Sequence, residues 1–440
     1  MRRKIKNDIL NFLNQDAKKK ALLVTGARQI GKTYIIRECI KETTASFVEI
    51  NFIENKEAKK LFSDFKNTRD FLLRLSAFTE GELIKGETII FLDEVQECKE
   101  IVTAIKFLVE EGNYKYVLSG SLLGVELKDI RSIPVGYLQV IEMYPMDFEE
   151  FCMANNVSQR ILDSLKDCFI NKKVVDEVVH EKMLELFRLY LIVGGMPEVV
   201  KNYIENKDFQ EVREIQNRIL SDYKQDFSHH IPPTIRPQVT KLWDSIPRQL
   251  AKENKKFVYS EIENTKARVK EYDPALEWLK DSGLVYQIMR LSKPALPIKA
   301  YQEYNSFKLF MSDIGLLSAK SDLDIRTLLE GSKVFTEFKG SITEQFVLQE
   351  LKAIQNIDIA YWANDAGRAE IDFVIQLDSQ IIPVEVKAGI NLKAKSLNVY
   401  KEKFNPDILV RTSLADYKKS DNLCDIPLYM IEQIKQICNL

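Results

Sequence analysis

Cysteine, histidine and long apolar runs are all scarce in this 440-residue chain. The six cysteines are Cys39, Cys98, Cys152, Cys168, Cys424 and Cys438. They show no CxxC spacing and are accompanied by three histidines, which argues against a structural zinc site. Scattered cysteines of this kind are expected as reduced thiols of a cytoplasmic protein. No apolar run is long enough to cross a bilayer, so no membrane partner is expected. The first twenty residues are basic but lack a long apolar core, so they do not read as a secretory signal. Their apolar positions Ile5, Ile9, Leu10 and Phe12 fit a short amphipathic helix packed on the first domain. Charge of one sign is also missing. Sixty-three Lys and Arg face 65 Asp and Glu, a net charge of −2, so no global field draws the chain to nucleic acid and only local basic patches remain.

The length suffices for two to four domains. What is present starts at Leu22–Thr33, LLVTGARQIGKT. It reads as a short apolar strand, a glycine-bounded loop and the start of a helix. Gly26, Ala27, Arg28, Gln29, Ile30, Gly31, Lys32 and Thr33 have the spacing of a phosphate-binding P-loop. The two glycines let backbone N–H groups turn toward phosphate oxygens. The helix that follows points its positive N-terminus at the same anion. Lys32 can reach the β- and γ-phosphates of ATP, and Thr33 offers a hydroxyl to Mg²⁺.

A P-loop of this kind requires an acidic group at the end of a neighbouring buried strand. Thr88–Glu94, TIIFLDE, provides one. Its continuous apolar run is that of a parallel strand buried on both faces, and Asp93 sits at its C-terminal end, where open α/β sheets bind ligands. Asp93 is the expected Mg²⁺ partner and Glu94 the expected base for the attacking water. Further strands are expected at Ser46–Phe52, Tyr116–Ser121 and Tyr137–Met143, with helices between, which predicts a parallel sheet covered on both faces. Ser119 and Ser121 have two readings: residues that sense the γ-phosphate, or a Ser-Gly-Ser turn chosen for its backbone geometry.

TGARQIGKT, FLDEVQ, VLSGSLLG and YLIVGGMPEVV (Tyr190–Val200) together resemble a family of prokaryotic AAA-type ATPases, related to the archaeal signal-transducing group, that are fused to a restriction-endonuclease-like C-terminal domain. The resemblance implies an ATP- and Mg²⁺-binding α/β domain over 1–155, a helical and winged-helix segment over 156–325, and an α/β nuclease-like domain over 326–440. It also implies catalytic roles for Lys32, Glu94 and Ser119, and assembly into a homo-oligomer. One departure stands out. The family follows its sensor strand with Gly-Arg, whereas Gly136 here precedes Tyr137. Arg131 is the nearest arginine and Arg28 lies within the P-loop, and neither is assigned the task of stabilising transition-state charge.

In the middle segment, Ser158–Ile192 reads as helical and ends at Gly194-Gly195-Met196-Pro197, expected as a tight interdomain turn. His229-His230 reads as a solvated pair rather than a metal site. Helices followed by strands at Leu284–Leu291 and Ile298–Tyr301 describe a winged helix. Lys266, Arg268, Lys270 and Arg290 make DNA phosphate one expected partner. Glu261, Glu263, Glu271 and Glu277 dilute that charge and favour a packing module that relays nucleotide state.

In the last segment, Ser341-x-x-Glu344 matches a capping box at the start of a helix. EIDFVIQL (Glu370–Leu377) and QIIPVEVK (Gln380–Lys387) read as a hairpin turning at Asp378-Ser379. That register puts Asp372 opposite Glu385, with Lys387 on the same face. Two carboxylates and a lysine can hold Mg²⁺ and activate water for phosphodiester cleavage. By resemblance Glu344 is the upstream acid of that site. A salt-bridged strand end is the alternative. Tyr361 and Trp362 are expected in the core. Three functions remain open: an ATPase controlling the nuclease-like domain, a metal-dependent nuclease regulated by ATP, and a nucleotide-gated scaffold that barely turns over.

Overall fold

A computed structural model describes residues 1–15, 19–43, 46–79, 83–121, 136–262, 269–326, 336–364, 369–390 and 395–439. The chain divides into two compact units. One is Met1–Tyr144 with Asp281–Leu284; the other is Pro145–Lys280 with Val285–Leu440.

The first unit is built on five strands: β1 (Ala21–Thr25), β2 (Phe47–Asn51), β3 (Ile89–Asp93), β4 (Lys115–Ser119) and β5 (Leu138–Glu142). They lie in the order β2-β3-β4-β1-β5, and every neighbouring pair is parallel. Val24 pairs with Ser119 and Asn51 with Asp93, so the C-terminal ends of the four central and flanking strands form one edge. β3 is buried along its whole length, as its unbroken apolar run requires. Leu23, Ile50, Ile90, Leu92 and Leu118 form a core with Phe62, Phe71, Ile101, Ile105 and Leu108 from the covering helices. Two helices occur, Lys56–Phe62 and Thr68–Phe78, because the Asn67 side chain accepts from Asp70 N and starts a second helix. The Ile5–Asn14 helix buries Ile9, Phe12 and Leu13.

The second unit centres on an eight-stranded mixed sheet. Its strands are β6 (Val285–Leu291), β7 (Gln302–Met311), β8 (Ile357–Ala363), β9 (Glu370–Leu377), β10 (Gln380–Val386), β11 (Leu409–Ser413), β12 (Lys418–Ser420) and β13 (Leu423–Pro427). The order is β12-β13-β11-β10-β9-β8-β6-β7. The expected 325/326 boundary therefore falls inside one unit. The strands read as a wing are not a free ribbon: β6 pairs in parallel with β8, Arg290 with Tyr361 and Leu291 with Trp362. Residues Ile298–Tyr301 form a 3-10 turn, and the strand partnering β6 begins at Gln302. A single backbone bond joins Phe257 N to Phe307 O at 2.9 Å, and the two rings stack. Arg290 donates to Ala363 O and pairs with Glu303, so the sheet occupies a side chain that was read as a phosphate contact.

Ser341 does not cap a helix. The helix runs Thr336–Lys352, and the buried Ser341 hydroxyl donates to Leu250 O at 2.5 Å from its interior. The helix is apolar on many sides, burying Ile342, Phe346, Val347, Leu348 and Leu351, so it carries no amphipathic stripe from which to read its start. Gly194-Gly195 joins two helices of the second unit, Glu177–Val193 and Pro197–Asn206, rather than two domains. His229 and His230 end the Phe209–His230 helix, His229 exposed and His230 partly so. Tyr361 and Trp362 are buried as expected.

Candidate functional site

The first unit brings its expected residues together at the C-terminal edge of the sheet. β1 ends at Thr25, and the loop that follows turns through positive φ at Gly26 (131°), Gln29 (65°) and Gly31 (88°). Gly26 is required by space as well as by φ: a Cβ there would lie 2.2 Å from Met143 O. The Lys32–Glu42 helix starts directly after Gly31, so its N-terminal amides face the loop. The Lys32 ammonium is buried and curls back onto the loop, donating to Gly26 O at 3.0 Å and Ala27 O at 2.8 Å. Desolvation lowers its pKa to about 8 against the pull of Glu94 and Asp93.

Asp93 is fully buried and is the centre of a convergent network. Thr33 Oγ1 donates to its two oxygens at 3.1 and 2.9 Å. Ser119 Oγ donates to Oδ1, and Asn51 Nδ2 donates to Oδ2 at 2.9 Å. Burial raises the Asp93 carboxyl above its usual range; the Ser119 and Thr33 hydroxyls oppose that shift, and neighbouring Glu94 adds to it. Glu94 sits in the left-handed region, φ 56° and ψ 48°, a costly conformation for a side chain of this size and one that clusters at functional sites. Its carboxylate accepts from Ser121 Oγ at 3.1 Å and Gln96 Nε2 at 2.6 Å. The oxygen donors Thr33 and Asp93 are the hard ligands that suit Mg²⁺.

Three residues of this edge escaped the sequence. Asn51 ends β2 level with Asp93, and its Oδ1 accepts from Ile53 N and Glu54 N, which fixes the amide that serves Asp93. Gln96 holds Glu94. Arg3 donates to Ile30 O at 3.0 Å and to Tyr144 O at 2.7 Å, tying the N-terminal segment to the P-loop. Asn51 was legible to anyone aligning all strand ends on one edge; Arg3 gave no signal. Arg131 lies outside the described residues.

The hairpin expected in the last segment forms. β9 and β10 pair antiparallel around Asp378-Ser379, with Val384 opposite Phe373, and the next step of that register sets Glu385 opposite Asp372. Val386 N donates to Asp372 Oδ2 at 2.7 Å. Glu344 reaches this place from the Thr336–Lys352 helix, near enough for its charge to act on the Asp372 carboxyl. Lysines are there too. Lys387 pairs with Glu385 at 2.6 Å, Lys255 with Glu344 at 2.5 Å, and the fully buried Lys308 with Glu370 at 2.5 Å and Glu344 at 3.4 Å. Burial, then Glu344 and Glu385, push the Asp372 carboxyl well up. Burial would raise Glu344 also, but Lys308 and Lys255 hold it below its ordinary value. Burial works against the Lys308 ammonium, yet Glu344, Glu370 and Asp372 keep it charged far into alkali. Lys308 lies on β7 in the run SFKLFM, where a lone lysine in a buried strand signals a hidden counter-charge. Lys266, Arg268 and Glu263 fall outside the described residues; Lys270 is exposed.

A parallel sheet with a P-loop after its first strand, and an acid ending the strand two places away, defines the first unit as a P-loop NTPase domain of the α/β class. In agreement, residues 18–152 match the family model of the AAA domain. Residues 184–327 and 339–431 match two domains of unknown function, DUF8612 and DUF4143. A search of curated proteins finds no match. Similar solved structures include a Walker-type ATPase of Pyrococcus abyssi, at 16% identity and TM-score 0.42, covering 72% of this chain and 95% of that one. Cdc6p from Pyrobaculum aerophilum is 13% identical at TM-score 0.24, covering 75% of this chain and 95% of that one. A structure described for katanin self-assembly is 19% identical at TM-score 0.24, covering 34% of this chain and 54% of that one. No helix among the described residues is long and apolar enough to cross a membrane.

Proposed function

We propose that the chain is a Mg²⁺-dependent ATPase whose nucleotide state is read out through the second unit. The observation that carries this reading is the convergence of Thr33, Ser119 and Asn51 on the buried Asp93 beside the P-loop. Thr33 and Asp93 would hold Mg²⁺, which neutralises charge on the phosphates. The amides of Gly26–Thr33 and the Lys32 ammonium bind the polyphosphate, and Lys32 releases its two loop carbonyls to do so. Glu94 accepts a proton from the water that attacks the terminal phosphorus, as the bond to the leaving ADP oxygen breaks. Ser119 orients Asp93 through its hydroxyl and would sense the terminal phosphate through that carboxylate.

One observation favours a slower, switch-like version of this function. The Glu94 carboxylate is engaged by Ser121 and Gln96, so the base must leave those donors before it can take a proton. Steady-state hydrolysis separates the readings. Turnover in wild type that falls by about 10²–10⁴-fold in Glu94→Gln, with ATP affinity kept, supports catalysis. Equal and negligible turnover in both proteins, with tight ATP binding, supports the switch. Unchanged ATP affinity in Lys32→Ala sinks both.

A further inference from the structure

We propose that the carboxylate cluster of the second unit takes its counter-charge from the chain itself, from the Lys255, Lys308 and Lys387 ammonium groups rather than from a divalent cation. This inference is independent of the ATPase reading.

The expected site needs Glu344, Asp372 and Glu385 to present oxygens to one ion. Mg²⁺ demands near-octahedral oxygen ligands at roughly 2.0–2.1 Å and retains water on its open positions. The geometry is otherwise. Glu344 accepts two ammonium groups, Lys255 at 2.5 Å and Lys308 at 3.4 Å. Lys387 is 2.6 Å from Glu385. One Asp372 oxygen is taken by Val386 N. Among the described residues, no group of three or more His, Cys, Asp or Glu side chains is arranged to hold a metal ion.

Lys308 cannot simply swing aside. It is 0% exposed, it projects from a strand buried from Ser306 to Met311, and its Nζ lies 5.1 Å from the centre of the Tyr361 ring, an arrangement that adds cation–π attraction. A divalent ion at Glu344 would share that carboxylate with two cations and be repelled by both. Removing the lysine would leave the buried Glu344 and the partly buried Glu370 with less compensation, the costly way to break an ion pair at a buried carboxylate. Lys308 belongs to β7, from the middle segment, whereas its partners lie on the Thr336–Lys352 helix and on β9. The ion pairs therefore fasten three elements to one another. The cluster is a metal-free clamp within the second unit, and metal-assisted phosphodiester cleavage is not its chemistry.

The test uses the full chain without nucleotide. Mn²⁺ binding is followed by electron paramagnetic resonance in wild type, Asp372→Asn and Asp93→Asn. All three tryptophans, Trp243, Trp278 and Trp362, lie in the second unit, so their fluorescence reads its unfolding. The expected results are no Mn²⁺ site sensitive to Asp372→Asn, and the same urea midpoint in EDTA as in millimolar Mg²⁺. Lys308→Met should lower that midpoint, and adding Glu370→Gln should restore part of the loss. A saturable Mn²⁺ site abolished by Asp372→Asn but kept in Asp93→Asn would overturn the proposal, as would a Lys308→Met midpoint equal to wild type. If Lys308→Met fails to fold, the wild-type and Asp372→Asn isotherms still decide.

Discussion

The Thr33 hydroxyl donates to both oxygens of the Asp93 carboxylate, at 3.1 and 2.9 Å. The pair joins the first turn of the P-loop helix to the end of β3 across 60 residues of sequence. It also gathers two oxygen donors at the place where a hard cation would bridge protein and phosphate.

Thr33→Val keeps the volume and removes the donor. The fold should persist, because Asp93 retains Ser119 and Asn51 as donors. The gain in ATP affinity on adding Mg²⁺ should shrink by about tenfold or more, one good charge-assisted interaction. Titration of a fluorescent ATP analogue with Mg²⁺ and with EDTA measures that ratio. A ratio equal to wild type would remove Thr33 from the metal site.

Lys32 makes nucleotide binding pH-dependent. Burial lowers its pKa from 10.5 to about 8 in the free protein, and a bound polyanion favours the ammonium. Below about pH 8 the lysine is already charged, so affinity should be flat. Above it, binding must take up a proton, and affinity should fall by up to about tenfold per pH unit. The stability of the nucleotide-free first unit moves the other way. The unfolded chain binds more protons between about 8 and 10.5, so this lysine's contribution to stability rises across that window. The binding enthalpy measured by calorimetry in buffers of differing ionisation enthalpy counts the protons taken up; affinity that stays constant through pH 9 contradicts the uptake.

The first unit was legible because its chemistry is local. Gly26–Thr33 and Thr88–Glu94 each combine strand, turn and functional side chain within a few residues, and the parallel sheet then brings Thr33 and Asp93 together. The second unit resists such reading because its decisive contacts are remote. β6 looks like half of a wing until Leu291 meets Trp362, 71 positions on. Glu344 looks like a capping residue until Lys255 and Lys308 arrive from elsewhere. The β9–β10 hairpin was legible for the same reason as the P-loop: its turn and register are set by adjacent residues. Local patterns thus located Asp372, Glu385 and Lys387, while Lys255 and Lys308 reach Glu344 from remote parts of the chain, and the lone lysine in SFKLFM announces a counter-charge without naming it.

Gly195 offers a test of how the second unit is held. Its N–H donates to the buried Asp313 at 2.6 Å, and its carbonyl accepts from Met146 N at 2.7 Å. A Cβ there would lie 2.1 Å from Met146 O and 2.8 Å from Met146 N. Both atoms are backbone and neither can rotate away, so the methyl must push Pro145–Phe148 off the Gly195 carbonyl. Gly195→Ala should therefore destabilise the second unit by about 2–4 kcal/mol, overpacking added to a lost buried hydrogen bond. Gly389 is the matched control, since nothing lies within 4 Å of a Cβ built there. Gly389→Ala should stay within about 0.5 kcal/mol of wild type. Tryptophan fluorescence in urea reads both variants in the second unit alone. Equal midpoints for Gly195→Ala and Gly389→Ala would mean that the Met146–Gly195–Asp313 junction yields easily and does not hold this unit together.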